Sequence, residues 1–292
     1  MNQTSLSFGG IGTSWQVTIN ETLSEERQQS LLKKIEDRIE AFDKDYSRFR
    51  NDSLVAEMSQ RAGEYMLPED AKPMFDIYER CYHLTNGAMT PLIGQVLVDA
   101  GYDAEYSLTP KEMTKPKAWE EVLEYQYPKL IMKEPAVLDF GAAGKGYLID
   151  IVAHMLQEEG FTSFLVNAGG DIAHYDVSSQ EASIGLERPD KTDEMIGVAK
   201  IHNQSICGSA GNRRAWANFH HIINPFTLNS PKEIASVWVV ADDTMTADAL
   251  TTCLFFMPAV EMQKSFRFEY AILFSDHSVE KSAHFPGEFF TE

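Results

Sequence analysis

Three places in this sequence hold side chains whose type and spacing could do chemistry. The first is Gly141–Ala142–Ala143–Gly144–Lys145–Gly146, a run with almost no bulk and one cation. Glycines let another molecule approach the backbone. At a helix start, a phosphate would meet free N–H groups, the positive end of the dipole and the Lys145 ammonium. The same glycines could also serve only tight strand-to-helix packing. The second place is His220–His221, followed by Ile222 and Ile223. Histidine accepts a proton near neutral pH, so His221 suits a general base acting on a hydroxyl, though a histidine beside two isoleucines can equally be structural. The third is Asp248, Thr251 and Thr252, whose i, i+3, i+4 spacing brings oxygens to one helix face. One carboxylate and hydroxyls leave positions for water and substrate phosphates, as Mg²⁺ is commonly held; a capped core helix is the alternative.

The elements that must position these groups are legible around the glycine run. Val137–Phe140 alternates like a strand, and from Tyr147 the residues Leu148, Ile151, Val152, Met155 and Leu156 recur at helical spacing. Gly160 stands where a helix C-terminal glycine belongs. Phe164–Val166 predicts the next strand, and Asn167–Ala168–Gly169–Gly170–Asp171 a second glycine turn. A P-loop would need glycine where Asp139 stands and Ser or Thr where Gly146 stands, and the glycine order does not suit a Rossmann fingerprint.

The 292 residues are 43% apolar with a formal charge of −19, enough for a large core and repulsive to nucleic acid or an anionic membrane. An anionic ligand therefore needs local help from a metal ion or a focused cation such as Lys145. Cys81, Cys207 and Cys253 are odd in number, widely spaced and in apolar contexts, reading as buried thiols of a reducing compartment. The first residues have no signal-peptide pattern and no cysteine for a lipid. No apolar run reaches the roughly 18 residues of a spanning helix, so no membrane insertion is expected.

In chain order, residues 5–19 predict two strands around Gly9–Gly10. Thr22 and Glu25 form a capping-box pattern ahead of a helix with Leu31, Leu32, Ile35, Ile39 and Phe42 inward, ending near Tyr46. A second helix follows Pro68 with Met74, Ile77, Tyr78, Cys81 and Leu84 inward, ended by Asn86–Gly87. Residues 102–121 read as a polar, turn-rich surface excursion, and Leu123 to Phe140 as alternating strands. Ala182–Leu186 and Ile196–Ile206 read as strands flanking a polar loop at Glu187–Glu194, and Ile234–Val240 as a last apolar strand before a helix beyond Ala241.

The same residues carry a resemblance. Asp139–Asp150, DFGAAGKGYLID, resembles the D-L-G-x-x-A-K-G-Y-x-x-D motif of the ApbE family, the FAD:protein FMN transferases, and Val166–Asp171 resembles its N-x-G-G-D motif. Ile11-Gly-Thr13 is similar to the family's M-G-T, and Ser47–Ser53 to its S-x-Y-R-x-x-S loop with Phe49 for the flavin-packing tyrosine. Asn86–Pro91 is similar to its G-A-F-D-P turn, with Met89 and Thr90 where Phe and Asp are usual. His220–Pro225 resembles H-I-I-D-P with Asn224 for the acid, and Ala247–Thr252 matches A-D-A-L-x-T. Cys207–Arg214 loosely resembles a T-S-G turn, and no role is placed on it.

The resemblance implies an α+β fold of antiparallel sheets packed with helices, residues 1–292 forming one domain with FAD in a cleft between its halves. It implies flavin contacts from Ile11, Phe49, Ala88, Met89, Thr90, Asp139, Lys145, Gly169, Gly170 and Ile222. It implies Mg²⁺ at Asp248, Thr251, Thr252 and the Ala142 carbonyl, with His221 as base and Lys145 as assisting cation. The expected reaction is Mg²⁺-dependent transfer of the FMN moiety of FAD to a threonine of an acceptor flavoprotein, releasing AMP. Two alternatives stay open: an FAD pyrophosphatase yielding FMN and AMP, and a non-catalytic flavin carrier. Many family members are exported lipoproteins, so the expectation is a cytoplasmic member or an exported lipoprotein whose leader has been removed.

Overall fold

Eight strands cross one antiparallel sheet in strict sequence order: β1 (Thr4–Gly10), β2 (Thr13–Ile19), β3 (Ser163–Ala168), β4 (Asp171–Asp176), β5 (Ser205–Ala210), β6 (Ile234–Ala241), β7 (Glu269–Phe274) and β8 (Val279–Lys281). The structure, a computed structural model, describes residues 3–212 and 214–290. The sheet is a meander whose connections have been enlarged. Between β2 and β3 lie α1 (Glu25–Tyr46), α2 (Ala71–Leu84) and α3 (Gly144–Glu158), and between β6 and β7 lies α4 (Thr244–Cys253). The expected α+β fold of antiparallel sheets and packed helices is what is found.

The sheet is covered on both faces. Val237 and Val239 of β6 join Trp15, Val17, Val166 and the inner faces of the four helices in the main core. Trp238 and Val240 point the other way, joining Ile172, Ile206, Leu186 and Ile201. Leu186 and Ile201 belong to the hairpin Ala182–Arg188 and Lys191–Ile201 inserted between β4 and β5, which packs on that second face. Burial of both faces is why β6 is apolar without interruption from Val237 to Ala241.

Local chemistry explains most element ends. α1 buries Leu31, Ile35, Ile39, Phe42 and Tyr46 on one stripe. Its N-cap is Ser24, whose hydroxyl accepts from Arg27 N–H at 3.3 Å, so the Thr22–Glu25 capping pattern lies too early. α3 begins at Gly144 and ends in a Schellman arrangement: Gly160, at φ 87°, donates to Gln157 O and Phe161 N–H donates to Leu156 O. The β1–β2 turn is Ile11–Gly12 rather than Gly9–Gly10. A two-residue hairpin that matches strand twist needs positive φ at both central residues, and these have 43° and 72°, while Gly9 and Gly10 pair with Ser14 and Thr13 inside the ladder.

Other expectations are corrected by long-range contacts. Val137–Phe140 forms no strand: Asp139 N–H donates at 2.8 Å to Pro91 O, which belongs to a short helical turn and not to a strand. Ile196–Ile206 is two strands, split where Asn203 takes φ 50°, and the Glu187–Glu194 loop shrinks to a turn because the hairpin strands run on to Arg188 and from Lys191. Residues 102–121 are not a mere surface excursion. Tyr102 at its start is buried and stacks on Trp216, centroids 5.6 Å apart. The three cysteines are free and buried, and among the described residues no helix is long and apolar enough to cross a membrane.

Candidate active site

Two adjoining hollows, of about 390 Å³ and about 740 Å³, open along one end of the sheet and share Gly12, Phe49, Tyr102, Asp139, Gly141, Lys145 and Arg214 in their walls. The meander explains their position. The β1–β2 turn, the β3–β4 turn, the end of β5 with the loop beyond it, the start of α3 and one face of α4 all arrive at this end. The β3–β4 turn is again two residues with positive φ, Gly169 at 62° and Gly170 at 100°. A side chain on Gly169 would come within 2.4 Å of the Thr13 hydroxyl, so glycine lets the two turns touch.

At the centre of the smaller hollow, the Lys145 ammonium forms an ion pair with Asp171 and lies 3.5 Å from Asp248 Oδ1. Asp248 Oδ2 accepts from Gly146 N–H at 2.8 Å, and Asp171 Oδ1 accepts from Gly208 N–H at 3.0 Å. Burial pushes the Asp248 carboxyl up by more than the Lys145 ammonium beside it draws it down, so it stands above the usual carboxylate range. Two carboxylates therefore face one ammonium, an arrangement with an excess of negative charge. Asp150, one turn along α3, accepts from Thr244 N–H and Met245 N–H at 2.8 and 2.7 Å, capping α4 and fixing it against α3. Burial pushes this carboxyl up to about 7.

The three oxygens predicted on α4 divide. Asp248 and Thr252 line the smaller hollow with Ala142, whose N–H donates to the Tyr78 hydroxyl at 3.1 Å. Thr251 does not reach it. Its hydroxyl donates to Asp248 O at 2.7 Å and meets the Ser209 hydroxyl at 2.8 Å, so it ties α4 to β5. Among the described residues no group of three or more His, Cys, Asp or Glu side chains could hold a metal. A divalent cation would instead have Asp248, Thr252 and the Ala142 carbonyl as hard oxygen donors, with substrate oxygens and water completing its shell. The Lys145 ammonium resting between carboxylates shows that positive charge is favoured at this point.

The two adjacent histidines also separate. His220 is structural: its Nε2 meets Pro231 O at 2.9 Å and its Nδ1 accepts from Ile222 N–H at 3.3 Å. His221 lines the smaller hollow, and its Nδ1 is buried with no hydrogen-bond partner among the described residues. Burial first, then the nearby Arg214, His220 and Lys145 charges, push it down to about 3, so it is neutral at physiological pH. Among the described residues Asn224 makes no hydrogen bond to the His221 Nδ1. The Asn224 side-chain oxygen accepts from Phe226 and Thr227 N–H at 2.9 and 3.1 Å, a turn-holding task that an amide performs as well as a carboxylate.

Phe49, Ala88, Met89, Thr90, Asp139, Gly169 and Ile222 share the smaller hollow, Ile11 lies in the wall of the larger one, and Gly170 lies in neither. The Thr90 hydroxyl accepts from Leu92 N–H at 3.2 Å, starting the short helix that follows. Met89 turns its sulfur to Cys253, beneath the end of α4. Sequence reasoning missed Asp171, Arg48, Arg214, Tyr102, Tyr106 and Trp216. For Asp171 there was a signal, the acid closing the second glycine motif. Tyr102, Tyr106 and Trp216 had no local signal, because their common purpose exists only once residues 102–108 fold beside residues 214–216.

Residues 11–273 match the model of the ApbE family. The chain is 26% identical over 281 residues to the FAD:protein FMN transferase of Haemophilus influenzae, covering 86% of this chain and 80% of that one. It is 30% identical over 152 residues to a protein of the same name from Klebsiella pneumoniae, a match spanning 49% of this chain and 46% of that one. The fold is shared with the ApbE protein of Thermotoga maritima, TM-score 0.82 at 19% identity and covering 97% of each chain. It is shared too with the flavin transferase ApbE of Vibrio cholerae, TM-score 0.79 at 20% identity and covering 96% of each. With the matched region extending from the β1–β2 turn through α4 into β7, the chain belongs to the ApbE family.

Proposed function

We propose that this protein is a flavin transferase, moving the FMN moiety of FAD onto a threonine hydroxyl of an acceptor flavoprotein and releasing AMP, with Mg²⁺ required. The observation that carries this reading is the cluster of Lys145, Asp171, Asp248, Thr252 and His221 around one small hollow that opens onto an aromatic one. A dinucleotide has this division: a diphosphate at its middle and a flat ring at each end. The relatives' names point the same way.

In this reading Asp248, Thr252 and the Ala142 carbonyl hold Mg²⁺, which when bound neutralises the diphosphate and polarises the bond that breaks. Lys145 turns its ammonium from the carboxylates to a phosphate oxygen, keeping positive charge on the group in flight. The acceptor hydroxyl approaches from the His221 side. As its oxygen bonds to the FMN phosphorus, its proton passes to His221, the phosphoanhydride bond breaks and AMP leaves with the bridging oxygen. A neutral His221 can take that proton, and the anionic diphosphate beside it raises its basicity from the low value that burial gives it.

The test is a mass spectrum of a purified acceptor domain after incubation with this protein, FAD and Mg²⁺, with Asp248→Ala alongside and nucleotides followed by chromatography. One FMN added to a threonine, lost in the variant, supports the transferase. Mg²⁺-dependent FMN and AMP with no acceptor labelled would replace it with a pyrophosphatase, and tightly bound but intact FAD across several acceptors would leave a carrier.

A further inference from the structure

We propose that Arg48 is a ligand-reading residue: its Nη2 donates a hydrogen bond to an acceptor atom on the edge of a planar heteroaromatic ring, and so selects the ring that the larger hollow accepts. The proposal rests on the reading of the ligand as FAD.

The Arg48 side chain is only 3% exposed, yet it lies in the wall of the larger hollow. Its Nε donates to Asp139 Oδ2 and its Nη1 to Tyr102 O at 2.8 Å. Its Nη2 is buried with no partner among the described residues. Buried donors are nearly always paired, because an unpaired one forfeits its bond to water, so an orphan beside a cavity calls for an acceptor from outside.

The surroundings specify what carries that acceptor. The Arg48 guanidinium carbon is 4.1 Å from the centroid of the Phe49 ring and 5.0 Å from that of Tyr102. Tyr106 stacks with Phe49 at 5.6 Å, their planes 8° apart. These are walls for a flat ring, and the guanidinium fork held by two fixed acceptors leaves one donor edge for a ring carbonyl or ring nitrogen. Phosphate has its own cations in Lys145 and Arg214, both in the walls of both hollows.

Asp139 changes role in consequence. Its carboxylate accepts from Gly141 N–H at 2.8 Å and from Arg48, so it acts as a positioning residue and the cleft offers the ring a donor in place of an acceptor. The ring is either the isoalloxazine or the adenine of the dinucleotide, and the two are separable by experiment.

The experiment titrates the whole protein calorimetrically with FMN and with ADP, comparing wild type, Arg48→Lys, and Arg48→Met combined with Asp139→Asn, each checked by thermal melting. Lysine keeps the charge opposite Asp139 but loses the fork, and the double variant removes both buried charges together, so a failure of one to fold leaves the other. A loss of about tenfold or more confined to FMN, with a shifted visible absorption band of the bound flavin, supports the proposal and assigns the isoalloxazine. The same loss confined to ADP supports it and assigns the adenine. Unchanged affinities, or equal losses for both ligands, overturn it while leaving the transferase reading intact. Wild-type protein that binds neither ligand would overturn the FAD reading, and this proposal with it.

Discussion

Gly146 lies directly against Asp248: its N–H donates to Asp248 Oδ2 at 2.8 Å, and a side chain there would come within 2.7 Å of Asp248 Cβ and 2.3 Å of Thr244 O. The glycine lets the starts of α3 and α4 touch, which brings Lys145 and Asp248 into one hollow. Gly146→Ala is expected to cost about 1–3 kcal/mol by overpacking. On the proposed role of Asp248 as a Mg²⁺ ligand it should also weaken turnover, because Asp248 must shift. Urea unfolding and steady-state rates check this; a variant with wild-type values for both would show that the contact does not matter.

Lys145 is shared by two carboxylates that are themselves almost wholly buried. Lys145→Gln leaves them facing each other, a loss on the order of 3–5 kcal/mol by analogy with broken buried pairs. Millimolar Mg²⁺ should restore part of this in the variant and much less in wild type. Thermal melts with and without Mg²⁺ read the difference, and equal shifts in the two proteins would count against a cation site here.

His221 is pushed down to about 3 from an ordinary 6.5. The folded state then binds fewer protons than the unfolded state between those values, so acidification below pH 6.5 destabilises the wild type. His221→Gln should lose stability less steeply over that window. With His221 in its proposed role as base, the free enzyme keeps it neutral from pH 6.5 down to about pH 4, so kcat/KM should hold its value over that window. A limb centred near 6.5 in kcat/KM would instead indicate an unperturbed histidine.

Ile11 takes φ 43° in the β1–β2 turn, a conformation that a β-branched side chain resists, and it lies in the wall of the larger hollow. Ile11→Asn would create the Asn–Gly pair that such turns favour and should stabilise the fold by about 1 kcal/mol. If the isoleucine is held there to contact the ligand, KM for FAD should rise in the same variant. A stabilised variant with unchanged KM would mean the strain serves nothing at the cleft.

Much of this protein is determined locally. The glycine run starts α3 and Gly160 ends it, because free N–H groups and positive φ are properties of a few adjacent residues. The stretches at Asp248 and at His220–His221 stand out by their resemblance to family motifs, since spacing alone fits a capped core helix and a structural histidine equally well. Spacing along α4 places Asp248, Thr251 and Thr252 near one another but not against a partner, and only the packing of α4 on β5 turns Thr251 toward Ser209 and leaves Thr252 in the hollow. Which histidine is structural was settled by Pro231 and Ile222. The aromatic hollow was decided entirely by tertiary structure, since Arg48, Tyr102, Tyr106 and Trp216 come from separated segments with no shared period. Periodicity and turn chemistry act over a few residues, whereas a binding surface is made by whatever the folded chain brings across the gap.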